Sequence, residues 1–487
     1  MPDWTYQPLR GIAATLLGER RSQRAALRVL STVGSFPCGG RLIAYGLGHR
    51  HPPRRLAGTV SGVDVRVRLG AVVPPSAAFH AVRALPLLGA GVIEVGPVSR
   101  MDIPVVREAV AGRRMPVVAR TDDPATAAAL TGDVDAVVTE SYCRPDTVHE
   151  AAQALADPST VVFATTDVLI REGPGWFARV IDAATPAGGK RSPAWRWGLL
   201  LGIGMIVAGL VAIAITLGPL LLWYDQDYLG VNTVGHHLAH FLQHDRISLA
   251  GTMIAIGVLY TGLAVGGLRR GWPWAREALL VSGWIGFPTM FYFVGTGFVD
   301  VLQLVATVAL FPFFVLGTRR RGGLRRAVLP DGPERQRRHA LVGQLLLVIT
   351  GLGIAVGGIV VSIIGLTTVL VPSDLAYLGT TTGALQAANP RLLSFMAHDR
   401  AGFGGALISA GTGIALLSAW GFRRGESWVW WTLALAATSG FGCALGIHGE
   451  IGYTDLGHLA PAYLGLALTV VALALARPYL CARRPIT

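Results

Sequence analysis

The chain has 487 residues, of which 52% are hydrophobic and 15% charged, and its mean hydropathy is +0.50. This excludes an ordinary globular protein and makes a bilayer the solvent for part of the chain. The net charge of +13 comes without a basic–aromatic motif, so nucleic acid is not an expected partner, and Cys38, Cys143, Cys443 and Cys481 form neither a zinc knuckle nor a disulfide framework.

Residues 1–63 begin with "MPDWTYQPLRGIAATLLGERRSQR", which is basic and amphipathic and lacks the apolar centre of a cleavable signal. A helical N-terminal extension is expected there. Residues 64–190 alternate β-rich runs, "RLGAVV", "GVIEVGPV", "MPVVAR", "DAVVTE" and "VVFATT", with amphipathic stretches such as "SAAFHAVRALPLLG". That alternation signals five βα units on a parallel sheet. A closed eight-unit barrel needs about 200 residues or more. The expected fold is therefore an incomplete, TIM-barrel-like α/β domain or an open sheet.

The stretches "YQPLRGIAATLLGERRSQRAALRVLSTVGSFPCGGRLIAYG", "LAGTVSGVDVRVRLGAVVPP", "LPLLGAGVIEVGPVS" and "TTDVLIREGPGWFARVIDAA" resemble the quinone-linked, membrane-associated (class 2) dihydroorotate dehydrogenases, over about a quarter of the chain. The resemblance implies a flavin barrel, FMN as cofactor and quinone as partner. The departures are large. The family's flavin loop is replaced by Ala71-Val72-Val73-Pro74-Pro75-Ser76 and its Tyr-x-Gly phosphate turn by Ala164-Thr165-Thr166, and residues 1–189 contain no Asn and no Lys. A pyrimidine carboxylate read by Asn amides and an FMN held by lysines cannot be served in the family's way. The domain is expected to be a degenerate pseudoenzyme acting as a scaffold, sensor or assembly module. Residual phosphate or flavin binding falls to Gly96, Gly173 and Gly175, the last two preceding a helix.

From residue 191 the chain is built of apolar runs. Spans are expected at 198–222, 247–268, 278–296, 299–317, 341–371, 402–421, 428–447 and 457–476. Trp195, Trp197, Trp223, Trp272, Trp274, Trp420, Trp428, Trp430 and Trp431 form the interfacial belt. Arg and Lys cluster in alternate connections, including Arg269, Arg270, Arg423, Arg424 and the basic linker 321–340. The positive-inside rule puts those connections and both termini on the cytoplasmic side of a bacterial-type membrane, facing anionic lipid.

"FLQHDRISLAG" from Phe241 and "FMAHDRAGFGG" from Phe395 share His-Asp-Arg at an offset of 154 residues (398 − 244). The same offset aligns Arg269-Arg270-Gly271 with Arg423-Arg424-Gly425 and Gly286-Phe287 with Gly440-Phe441. Residues 191–320 and 341–487 are therefore two parallel four-span repeats, making an all-α membrane domain of eight helices. Two roles are open for the triplets. As structural anchors, Asp245 and Asp399 cap the spans that follow, Arg246 and Arg400 pair with them or with lipid, and His244 fills an interfacial hydrogen bond. As a site, His398, His448, Glu450, Asp455 and His458 gather in the second repeat to hold a transition metal or a quinone headgroup, with His237, Asp225, Asp227 and Asp300 on the same face. A quinone-linked flavin oxidoreductase is the enzymatic alternative to the scaffold. A transporter ranks third, since the charges collect at the rim.

The topology is directly testable. Cysteines placed at His237 and Arg391 should react with an impermeant thiol reagent in intact cells while one at Arg326 stays unlabelled. The reverse pattern would invert the orientation.

Overall fold

The computed structural model describes residues 3–47, 52–111, 113, 115–139, 142–185, 193–218, 236–319 and 332–483. They fall into two compact units, one of the described residues up to 185 and one of those from 193 onward. Trp223, Asp225, Asp227 and most of the 321–340 linker lie outside the described residues.

The first unit opens with three helices, α1 (Gln7–Leu17), α2 (Glu19–Ser35) and α3 (Gly39–Gly46), followed by a hairpin of β1 (Gly58–Val60) and β2 (Val63–Val65). The five expected β runs become β3 (Leu69–Val73), β4 (Val92–Val95), β5 (Val117–Arg120), β6 (Ala136–Val138) and β7 (Val162–Ala164). They pair in parallel in the order β6-β5-β4-β3-β7. Strands β3, β4 and β7 are buried along their whole length, which explains their apolar sequence, interrupted only by Glu94 on β4. Between the strands run α4 (Pro75–Leu88), α5 (Ile103–Val110), α6 (Pro124–Leu130) and α7 (Val148–Ala154), and α8 (Thr166–Glu172) and α9 (Trp176–Ala183) close the unit. Pro75 starts α4 and Gly89, at φ 110°, ends it. Beyond β7 a single bridge joins Cys143 to Val162, so among the described residues the sheet is a short open one.

Two buried arginines tie this unit together. Arg68 donates to the carbonyls of Leu155, Asp157 and Thr160, and Arg179 pairs with Asp3 at 2.6 Å and Glu172 at 3.0 Å. Each guanidinium thereby satisfies several acceptors that would otherwise be buried unpaired.

The second unit contains seven helices long and apolar enough to cross a membrane. Its main helices are α10 (Trp195–Leu217), α11 (His236–Gly262), α12 (Pro273–Gly286), α13 (Val301–Thr318), α14 (Glu334–Leu366), α15 (Pro372–Leu378), α16 (Thr382–Ala388), α17 (Pro390–Gly421), α18 (Ser427–Ile451) and α19 (Leu456–Leu480). The eighth span expected, 299–317, corresponds to α13, whose described apolar part, Gln303–Thr318, is shorter than the other seven. Asp300 caps it at one end, accepting from the Gln303 backbone, which fixes its start.

The packing of the two halves corresponds. Helix α10 lies on α11 as α14 lies on α17, α10 on α13 as α14 on α19, and α11 on α18 as α12 on α17. Close approach is set by small residues. A side chain added at Gly202 or Gly209 would meet the carbonyls of Gly257 and Ala250 at 2.8 Å, and one at Gly351 or Gly358 those of Gly411 and Gly404 at 2.7 and 2.5 Å. Ala250 and Gly404 keep the offset of 154 (404 − 250), whereas Gly202 and Gly351 differ by 149 (351 − 202). The second half thus has five more residues between its first and second long helices, where α15 and α16 are placed.

Bilayer helices gain no hydrophobic drive from touching one another, so such seams depend on backbone proximity. Gly358→Leu should force the α14–α17 pair apart and lower the melting temperature, at a cost of about 1–3 kcal/mol for overpacking. Gly357→Leu, on the open side of the same helix, should leave it unchanged. Equal melting shifts for the two variants would show that the seam does not carry the packing.

Candidate metal centre

Helices α11 and α17 run without a break through His244-Asp245-Arg246 and His398-Asp399-Arg400. This corrects the expectation that the spans begin after the triplets and that Asp245 and Asp399 cap them. The described part of α11 already begins at His236, and α17 starts at Pro390, where Asn389 caps it by accepting from the Arg391 backbone. The helices need not stop, because the triplets are buried against each other. Arg246 reaches Asp399 at 2.9 Å, and Arg400 reaches Asp245 at 3.4 Å. Arg246 also lies over the Phe395 ring at 4.5 Å, and Arg400 over Phe241 at 5.5 Å. Phe241 and Phe395 again sit 154 residues apart. Each triplet therefore neutralises its copy.

Arg400 has a second carboxylate, the fully buried Asp374 on α15, and donates also to the Val369 carbonyl at 2.7 Å. Asp374 in turn accepts from the Tyr453 hydroxyl at 2.9 Å and the Val371 backbone at 2.9 Å. Burial pushes the Tyr453 hydroxyl well above its usual range, so it stays a protonated donor to Asp374.

Beside this network three imidazoles converge. One ring nitrogen of each of His244, His448 and His458 lies within 4.8 Å of the others. The ring centroids of His448 are 4.9 Å from His244 and 5.2 Å from His458, and the Tyr453 ring lies against all three, 4.8 Å from His458.

Protonation follows from the partners. Nδ1 of His448 faces the Ala444 carbonyl at 2.7 Å, and Nδ1 of His244 faces the Phe241 carbonyl. A carbonyl only accepts, so both Nδ1 atoms carry the proton and both Nε2 atoms present lone pairs in the neutral ring. The His448 Nε2 is buried with no partner among the described residues, and the His244 Nε2 faces Asp245 Oδ1 at 3.4 Å. Lone pairs and a carboxylate turned toward one another are matched by a cation. An imidazole whose far N–H donates to a backbone carbonyl is also the usual arrangement of a metal-binding histidine.

The expected residues divide accordingly. His448 and His458 are in the cluster. His398 is not, because its Nε2 is engaged by Gln303 at 2.9 Å. Glu450 is exposed, and Asp455 is spent capping α19, where it accepts from the His458 backbone at 2.7 Å. The cluster is also not confined to the second repeat, since His244 comes from the first. The sequence did contain a signal for this, as His244 and His398 are equivalent and only one can face any given partner set.

In the first unit, a side chain at Gly96 would strike the Arg120 Cβ at 2.9 Å, and one at Gly173 the Tyr6 ring at 2.4 Å. Gly175 stands at the start of α9. Tyr6 thus occupies the approach to Gly173, with its hydroxyl on the Ile170 carbonyl at 2.8 Å. Glu94, fully buried on β4, takes Arg120 at 2.8 Å and Arg144 at 2.7 Å. No family model, curated protein or solved structure matches the chain.

The crossed ion pairs generate a stability prediction. Asp399→Ala strands Arg246 in the interior and should cost about 3–5 kcal/mol, read as a lower melting temperature. Replacing the pair together, Arg246→Met with Asp399→Leu, should recover most of that loss. A double variant as unstable as the single one would mean that the pair is not the relevant unit.

Proposed function

We propose that the chain is an integral membrane metalloprotein that binds one first-row transition-metal ion through His244, His448 and His458. The supporting observation is that one ring nitrogen of each of the three imidazoles lies within 4.8 Å of the others, while Nδ1 of His244 and of His448 is held on a backbone carbonyl. Imidazole ligands suit zinc, copper, iron and nickel, and three histidines leave a coordination position for water, a substrate or the nearby Asp245 carboxylate.

The eight apolar helices are read as two parallel four-helix repeats, both termini cytoplasmic and the basic connections against anionic lipid. The first unit is read as a degenerate βα-barrel derivative of the dihydroorotate dehydrogenase type, kept as a scaffold or docking module. In support, Tyr6 fills the approach to Gly173, Glu94 is neutralised by two arginines, and the unit has neither Asn nor Lys.

Elemental analysis of the purified full-length protein tests the metal. About one equivalent of a single transition metal is expected. His244→Ala, His448→Ala and His458→Ala should each lose it, and His398→Ala should keep it. Acidification should release the ion, because protons compete for the same lone pairs. Retention of metal in all three cluster variants would refute the site.

A further inference from the structure

The metal cluster has a pseudo-equivalent place in the other half, and that place is built differently. His398 is the counterpart of His244, but Val294 stands at the offset of 154 from His448, and Gln303, three residues after the capping Asp300 as His458 is after Asp455, takes the place of His458. Here the His398 Nε2 donates to Gln303 Oε1 at 2.9 Å, leaving its Nδ1 buried without a partner among the described residues. The other end of the Gln303 amide, Nε2, donates to no described residue. Two polar groups therefore stand with capacity unused, one of them on the wall of a cavity.

That cavity runs from Gln303 along α13 to Leu310 between Met205, Met253, Phe287 and Ala406, with Gly286 and Gly402 opening its sides. Seven residues of helix make it about 10 Å long. It is a narrow, partly open groove whose lining is mostly apolar. Tyr260 and Ser409 are already bonded to Ser282, at 2.9 and 3.1 Å, and Thr289 to the Gly286 carbonyl at 2.6 Å, which leaves Gln303 and Thr307 as the polar groups of the lining with capacity to spare.

We propose that this cavity binds a neutral, lipid-soluble molecule carrying a ketone-type carbonyl, whose oxygen accepts from Gln303 Nε2. An unpaired amide donor calls for an acceptor, and the apolar walls penalise a charged one. The carboxylate of Asp300, which caps the same helix three residues earlier, repels a phosphate or a carboxylate at this end. A phospholipid headgroup is thereby disfavoured, and a compact ketone with an apolar body about 10 Å long fits the chemistry. The inference does not depend on metal at the histidine cluster.

Benzophenone is a suitable probe, being a neutral ketone of this size that inserts into nearby C–H bonds under near-ultraviolet light. With the full-length protein in detergent, adducts located by peptide mass spectrometry should concentrate on Met205 and Met253. Gln303→Leu should reduce them about tenfold, the worth of one hydrogen bond to an amide. Ala406→Phe should abolish them with the melting temperature retained, and His448→Ala should leave them unchanged. Excess 2-undecanone should suppress labelling, and excess dioleoylphosphatidylcholine should not. Should Ala406→Phe fail to fold, Gln303→Leu and the two competitors still decide the matter. Adducts spread over outward-facing positions such as Val305 and Val308, no response to Gln303→Leu, or equal suppression by the phospholipid would each overturn the proposal.

Discussion

The second unit depends on a reciprocal ionic contact, Arg246 with Asp399 and Arg400 with Asp245, held between two long helices. Four charges in an apolar bundle are tolerable only when each has a partner within hydrogen-bonding distance, and this condition fixes where α11 and α17 meet and in what register. The aromatic faces of Phe395 and Phe241 add a second set of symmetry-related contacts to the same arginines. Everything else at that end is built onto this layer. Asp374 is recruited by Arg400, Tyr453 by Asp374, and the Tyr453 ring lies against the three imidazoles.

Duplication and divergence account for the chemistry on top of it. The two halves supply corresponding positions for histidine, at 244 and 398. In one surrounding, His448 and His458 bring two more ring nitrogens within 4.8 Å. In the other, Gln303 meets the ring and a cavity opens beside it. The shared layer of charge is what allows the two neighbourhoods to differ, because it holds the helices in place whichever residues line the remaining space.

Much of this was legible in the sequence, and the parts that were not have physical reasons. The β runs were readable because β3, β4 and β7 are buried on both faces and are therefore largely apolar. The duplication was readable because a fixed offset survives in His-Asp-Arg, Arg-Arg-Gly and Gly-Phe. The spans were started after the triplets because polar residues inside a span look like an interface until their partners are known. Those partners lie some 150 residues away. The assignment of His398 and Asp455 to the site failed for a similar reason: one is diverted by Gln303 and the other by the start of α19. The role of His244 could be decided only by the fold, since nothing local marks which of two equivalent histidines faces His448.

The crossed pairing also sets a clock for biosynthesis. When α11 leaves the ribosome, Asp399 and Arg400, the partners of Arg246 and Asp245 across the bundle, are still to be translated. At 5–20 residues per second the interval is roughly 8 to 30 s. During that time the nascent helix carries an acid and a base in adjacent positions that it cannot bury. It must wait at the water-facing margin of the insertion machinery or be shielded by an assisting protein. The first repeat is in this sense an unfinished membrane domain whose insertion is completed only by the second.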